Sequence, residues 1–121
     1  MFRRMCRAKI HNATVTAARP EYEGSIAVDK ALLEAAGIRE MEMVFVFDSS
    51  NGNRFETYAV AGEPGKVEVL GAAAKLCRLG DKIIIVAESL VDDKELEKLE
   101  SKIVVVGDGN ELTGTKRKKQ G

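Results

Sequence analysis

The feature that most constrains this chain is the shortness of its apolar runs and how often turn-forming residues interrupt them. Met43-Val-Phe-Val-Phe47 and Lys82–Ala87 have the length of strands, and Val67–Leu70 and Ile103–Val106 are shorter still. Between them fall Ser50-Asn51-Gly52-Asn53, Glu63-Pro64-Gly65-Lys66 and Gly80-Asp81. Asn-Gly is a strong hairpin signal because tight two-residue turns need positive φ, so Phe55–Val60 is expected to return alongside 43–47. Many short strands joined by close turns cannot stack as a helical bundle. They close most naturally into a small all-β barrel with a few short helices.

The remaining segments fit that frame. Residues 2–17 carry β-branched residues at Ile10, Thr14, Val15 and Thr16 and read as one or two strands leading to a turn at Arg19-Pro20. Tyr22–Val28 reads as a turn running into a short strand. Asp29 is placed to cap a helix over Lys30–Ala36, which Gly37 ends. Gly71-Ala72-Ala73-Ala74 opens a short helix or tight turn. Asp92–Glu100 is heavily charged and reads as a surface helix. From Thr113 onward, Lys116-Arg117-Lys118-Lys119 has no apolar anchor, so residues 113–121 are expected to form a disordered basic tail behind one domain over 1–112.

Composition narrows the function classes. A chain of 121 residues with 45% apolar content suits one core, which is small for the folds that usually house pyridoxal phosphate. Acidic and basic side chains balance at 19 each, without the basic excess of a general nucleic-acid surface. Cys6 and Cys77 have neither a disulfide framework nor metal-ligand spacing, so free thiols and no metal are expected. The N-terminus lacks an apolar stretch of signal or membrane length, which makes a cytoplasmic protein with no membrane partner the expectation.

Four segments, in order, carry a more specific signal: Ala8-Lys9-Ile10-His11, Tyr22-Glu23-Gly24-Ser25, Asn51–Tyr58 and Gly71–Ala74. Each alone is commonplace. Together they resemble the pyruvoyl-dependent aspartate α-decarboxylase family of the pantothenate pathway. The resemblance implies a double-psi β-barrel, a homotetramer with sites between subunits, and a proenzyme cut between Gly24 and Ser25. It also implies a pyruvoyl group made from Ser25 that forms a Schiff base with L-aspartate, giving β-alanine and CO2.

The residue chemistry is consistent with those implications. Decarboxylation leaves a carbanion at Cα, and a carbonyl-derived electron sink must receive it. Gly24 lacks Cβ, so it tolerates unusual backbone angles and leaves its carbonyl open to the Ser25 hydroxyl. By resemblance, Thr57 polarises the scissile carbonyl and contacts substrate, while Tyr58 donates a proton to Cα. A phenol is protonated at neutral pH and can do so. Lys9 and Arg54 match the cations at the substrate carboxylates, each charge-assisted bond being worth about 1.5–3 kcal/mol. Gly71, Ala72 and Ala73 match a substrate-contacting stretch. His11 is expected to be structural. Thr57 and Tyr58, as neighbours on a strand, point to opposite faces, so one site using both requires a bulge or a subunit boundary.

Two other readings stay open. Ile26–Glu40 resembles the strand–helix–Gly-Ile pattern of DNA-binding transition regulators. Leu70 stands where the family resemblance has an asparagine, which leaves room for a homologue that does not cleave.

Overall fold

The computed structural model describes residues 1–120. Strands are β1 (Phe2–Thr14), β2 (Ala17–Arg19), β3 (Ser25–Asp29), β4 (Met43–Asp48), β5 (Arg54–Gly62), β6 (Val67–Leu70), β7 (Lys82–Asp92), β8 (Glu100–Val106) and β9 (Leu112–Lys119). One helix, α1 (Lys30–Ala36), and short 3₁₀ segments join them. The strands hydrogen-bond in the order β2-β6-β3-β5-β4-β7-β1-β8-β9. β1 lies against β7, and the same stretch of chain continues into β2 against β6. The first 19 residues therefore join both halves of the sheet and curl it into a barrel. At the crossing, Val15 N–H donates to Asp81 O and Thr16 N–H to Val67 O, at 2.9 and 2.8 Å.

Period-two alternation sets what points inward. Val44 and Val46 of β4, Ile83 and Ile85 of β7, and Ile10 of β1 are buried, with their strand neighbours more exposed. α1 covers one side of the barrel with Leu32, Leu33 and Ala36. The expected cap is present: Asp29 Oδ1 accepts from Ala31 N at 2.8 Å, and Oδ2 accepts from Gly65 N at 2.8 Å. The hairpin over Ser50–Asn53 and the turn at Glu63–Lys66 also fall where the sequence puts them. No described helix is long and apolar enough to cross a membrane.

Two expectations are corrected. Asp92–Glu100 is not a surface helix. β7 runs to Asp92, a single 3₁₀ turn covers Leu96–Lys98, and β8 begins at Glu100. The segment has no apolar stripe of helical period to bury, whereas Asp92 gains a ladder partner in Phe2 and Asp93 an ion pair with Arg3 at 2.6 Å. Residues 112–119, expected to fray from Thr113 on, form β9, antiparallel to β8 from Val106↔Leu112 to Glu100↔Lys119. Every β9 side chain is exposed. The pairing is made by backbone groups on the free edge of β8 and needs no apolar anchor, which is why composition did not reveal it.

Asn110 locks the return to β9. It is 2% exposed with φ +59°. Its Oδ1 accepts from Thr14 N (2.8 Å), and its Nδ2 donates to Thr14 O (3.0 Å) and Gly65 O (3.1 Å). Asn110→Ala leaves these buried groups unpaired and is expected to cost about 2–3 kcal/mol. In a thermal melt this should read as a Tm lower by about 10 °C or more.

Candidate active site

The structure gathers four of the sequence-derived site residues around one peptide bond. Ser25 begins β3, is 3% exposed, and pairs with Leu70 at the end of β6. Gly71 follows Leu70 and starts a 3₁₀ helix, Gly71–Leu76. The antiparallel register thus brings Gly71 onto Gly24. A Cβ at Gly71 would lie 2.6 Å from Gly24 Cα and 2.7 Å from Gly24 N, and Gly71 itself has φ +80°. Only glycine allows that approach.

The backbone at the Gly24–Ser25 bond is unusual on both sides. Gly24 has φ +139° and Ser25 has φ +112°. The value is ordinary for glycine but strained for serine, at about 1–3 kcal/mol. β5 supplies the donor: Tyr58 Oη–H donates to Gly24 O at 3.4 Å, a long bond. β3 and β5 run parallel with Ile26 opposite Ala59, which carries Tyr58 to the Gly24 end of β3.

The other expected residues stand apart in the single chain. The β4–β5 ladder runs from Met43↔Tyr58 to Phe47↔Arg54 without a register shift, so no bulge turns Thr57 toward Tyr58's face. Thr57 is 8% exposed and follows the inward series with Ala59. Arg54 is exposed, its guanidinium 4.5 Å from the centroid of the Phe47 ring, beside a groove bordered by Phe45 and Phe55. Lys9 sits on β1 between Val86 of β7 and Ile103 of β8, and His11 is exposed further along the same strand. Among the described residues no hydrogen bond or ion pair joins Lys9 or Arg54 to Gly24 or Ser25. Ala72 is exposed and Ala73 half-buried on the 3₁₀ helix.

Sequence reasoning passed over a pair of acids behind this helix. Asp48 is 1% exposed at the end of β4, its Oδ2 has no hydrogen-bond partner, and the Asp81 carboxyl is its acidic neighbour. Burial above all, then the neighbouring Asp81 carboxyl, raises Asp48 from the ordinary carboxylate value; the Asp48 carboxyl and the Arg78 amide lower Asp81 from it. Burial, with Asp48 and Asp81 nearby, pushes the Cys77 thiol up to about 11. The available signal was alternation: Val44, Val46 and Asp48 fall on one face, so an inward Val-x-Val series ends on an acid.

The chain is thus an all-β barrel with a strained serine at one strand end and a phenol at the preceding carbonyl. The aspartate decarboxylase family model matches residues 1–113, and the chain belongs to this family. An aspartate 1-decarboxylase of Hydrogenobaculum sp. (strain Y04AAS1) is 46% identical over 117 residues, covering 97% of this chain and 94% of the relative. One from Carboxydothermus hydrogenoformans is 44% identical, covering 98% and 94%, and one from Bacillus cereus (strain G9842) is 47% identical, covering 93% and 90%.

The Gly71–Gly24 contact can be isolated. Gly80 also has positive φ, +90°, but an added Cβ there meets nothing within 4 Å. Both Gly→Ala changes share the conformational penalty, so Gly71→Ala should be less stable than Gly80→Ala by about 1–3 kcal/mol, the usual cost of overpacking. Urea denaturation midpoints of the two variants check it.

Proposed function

We propose that this chain is a proenzyme that cleaves itself between Gly24 and Ser25, converts Ser25 to a pyruvoyl group, and uses it to convert L-aspartate to β-alanine and CO2. The observation that carries the reading is the strained Gly24–Ser25 backbone, pinned by Gly71 and met at its carbonyl by Tyr58. Membership of the aspartate decarboxylase family supports the substrate.

The residues at hand suit the cleavage. The Ser25 hydroxyl adds to the Gly24 carbonyl carbon, the C–N bond breaks, and the hydroxyl proton ends on the freed amine, leaving an ester. Strain at Ser25 is released in this shift, which lowers the barrier relative to a relaxed peptide. The Tyr58 hydroxyl, 3.4 Å from the Gly24 oxygen, stabilises negative charge there only weakly. Loss of the Ser25 α-proton then expels the Gly24 carboxylate, and water replaces the nitrogen as ammonia leaves.

The pyruvoyl carbonyl, conjugated to the following amide, supplies an acceptor for the electrons released with CO2. The chain's own side chains do the rest. Lys9 and Arg54 meet the two substrate carboxylates, and Arg54 with its planar fork is the more specific partner. Thr57 and the Gly71-Ala72-Ala73 stretch complete the pocket, and Tyr58 protonates Cα. Among the described residues Lys9 and Arg54 make no hydrogen bond or ion pair with Ser25, and a homotetramer with the site between subunits is part of this reading. Two unpaired cysteines accord with a cytoplasmic setting.

Intact-mass measurement tests the first half. The purified chain should resolve into pieces covering 1–24 and 25–121, and Ser25→Ala should stay whole. A chain that remains whole after prolonged warm incubation contradicts spontaneous cleavage. Tyr58→Phe separates the second half from the first. A 3.4 Å hydrogen bond contributes little to cleavage, so the variant should still process, within several-fold of the parent rate. Its kcat for aspartate should nevertheless fall about 10²–10⁴-fold, the usual share of a general acid. Near-normal turnover by processed Tyr58→Phe removes Tyr58 from the proton transfer.

A further inference from the structure

Behind the cleavage site, the polar wall at the base of the β4–β5 hairpin has an arrangement that ordinary ion pairing does not explain. Asp48 Oδ1 accepts from Ser50 N at 2.9 Å, while Oδ2 is buried and receives no N–H. What faces it is the Asp81 carboxyl group, whose Oδ2 already accepts from Arg78 N at 2.9 Å. Two ionised carboxylates are both acceptors and repel; they hydrogen-bond only when one carries a proton. The proton belongs on Asp48, which is wholly inside, rather than on half-exposed Asp81 with its Arg78 amide.

The bond has a definite mechanical place. Asp48 closes the hairpin through Asp48 N–H to Asn53 O (2.9 Å) and Gly52 N–H to Asp48 O (2.7 Å). From that hairpin, Asn51 and Asn53 both donate to Leu76 O, at 3.0 and 2.9 Å, gripping the last residue of the 3₁₀ helix that starts at Gly71. Asp81 anchors the other end of the same segment, with its N–H on Arg78 O and its carbonyl on Val15 N. The hairpin and the 71–81 segment are thus tied at Leu76 and at Asp81, and Gly71 rests on Gly24 at the far end.

We infer that Asp48 and Asp81 share one proton in a buried carboxyl–carboxylate bond, and that this tie makes Asp48 a positioning residue that holds Gly71 against Gly24 for cleavage. The inference rests on the cleavage reading above. The titratable and charged groups around the pair are few. Cys77 has a thiol that stays neutral at working pH, with its value near 11. Arg78 adds a positive charge on the Asp81 side. Lys82 directs its ammonium to Thr14 Oγ1 at 2.7 Å. None replaces the shared proton.

The sign follows from linkage. Asp48 holds its proton more tightly folded than unfolded, so its contribution is full below the ordinary Asp value of about 4 and is lost as pH rises through the raised value. Asp81 is lowered, so its contribution is present above the ordinary value and is lost as pH falls through the lowered one. Above the ordinary value only the Asp48 part changes, and the tie loosens as pH rises through the raised Asp48 value.

Asp48→Asn keeps an N–H donor toward Asp81 and cannot ionise. Freshly purified parent, Asp48→Asn and Asp81→Asn chains are followed from about pH 4 to about pH 9 by intact mass for cleavage and by thermal melts for stability. Relative to Asp48→Asn, the parent should lose a few °C in Tm and slow several-fold in cleavage as pH rises through the raised Asp48 value. Asp81→Asn, which lets Asp48 ionise against an amide, should also have the flatter profile and serves if Asp48→Asn does not fold. Parallel profiles for the parent and the Asn variants overturn the inference. So does stabilisation of the parent but not Asp48→Asn by millimolar calcium at alkaline pH, since a cation rather than a proton would then sit between the acids. A parent chain that cleaves at no pH refutes the cleavage reading and with it the positioning role. The melts still decide the shared proton, and parallel melts refute that too.

Discussion

The contact between the backbones of Gly71 and Gly24 is the constraint around which the rest of the structure is arranged. With no side chain on either residue, the end of β6 and the start of β3 approach more closely than any Cβ would permit. Gly24 cannot relax toward Gly71, and the antiparallel pairing of Ser25 with Leu70 fixes it from the other side. Ser25 is left in a backbone region that serine rarely adopts. Strain of this kind persists only where surrounding structure over-determines it. Here the over-determination comes from two ladders on β3, one to β5 and one to β6.

Holding that contact requires the segment after Gly71 to be rigid, although it contains only a short 3₁₀ helix. Such helices have poor hydrogen-bond geometry and little stability of their own. The stiffness is supplied from outside by the Asn51 and Asn53 amides on Leu76, and by Asp81 at the start of β7. The β4–β5 hairpin therefore has two duties. Its strand carries Tyr58 to the Gly24 carbonyl, and its turn braces the helix that presses on Gly24 from the opposite side.

The barrel interior is almost wholly aliphatic, and three of its four buried polar residues, Thr57 being the fourth, each have a distinct account. Asn110 satisfies backbone groups that β1 and the Glu63–Lys66 turn would otherwise bury unpaired. Ser25 is buried because β3 begins there, beside the bond it is proposed to break. Asp48 is buried because strand alternation leaves it no other face. A carboxyl in that position must be neutralised, since an isolated charge in an apolar interior is far costlier than a proton taken up. The outward faces show the reverse economy: Arg54 on Phe47 and Lys9 on β1 stay accessible to whatever docks on the barrel.

Sequence alone determined the parts that depend on local chemistry. The Asn-Gly hairpin, the Asp29 cap, the Gly37 stop and the period-two strands were all legible, because each depends on residues a few positions apart. The ordered segments around Lys9, Gly24-Ser25, Arg54–Tyr58 and Gly71 were enough to indicate the family. The tertiary structure decided what depends on distant partners. It turned 112–119 into an edge strand, because β8 offered unpaired backbone groups that no composition reveals. It denied the charged 92–100 segment a helix, because the N-terminal strand offered Asp92 and Asp93 better partners. It set Tyr58 on the Gly24 carbonyl and Thr57 inside the barrel, because the β4–β5 ladder has no bulge. It also brought Asp48 and Asp81, 33 positions apart in the chain, beside each other. Local propensity can name a strand and a turn, but which side chains are buried beside each other is settled only when the sheet closes.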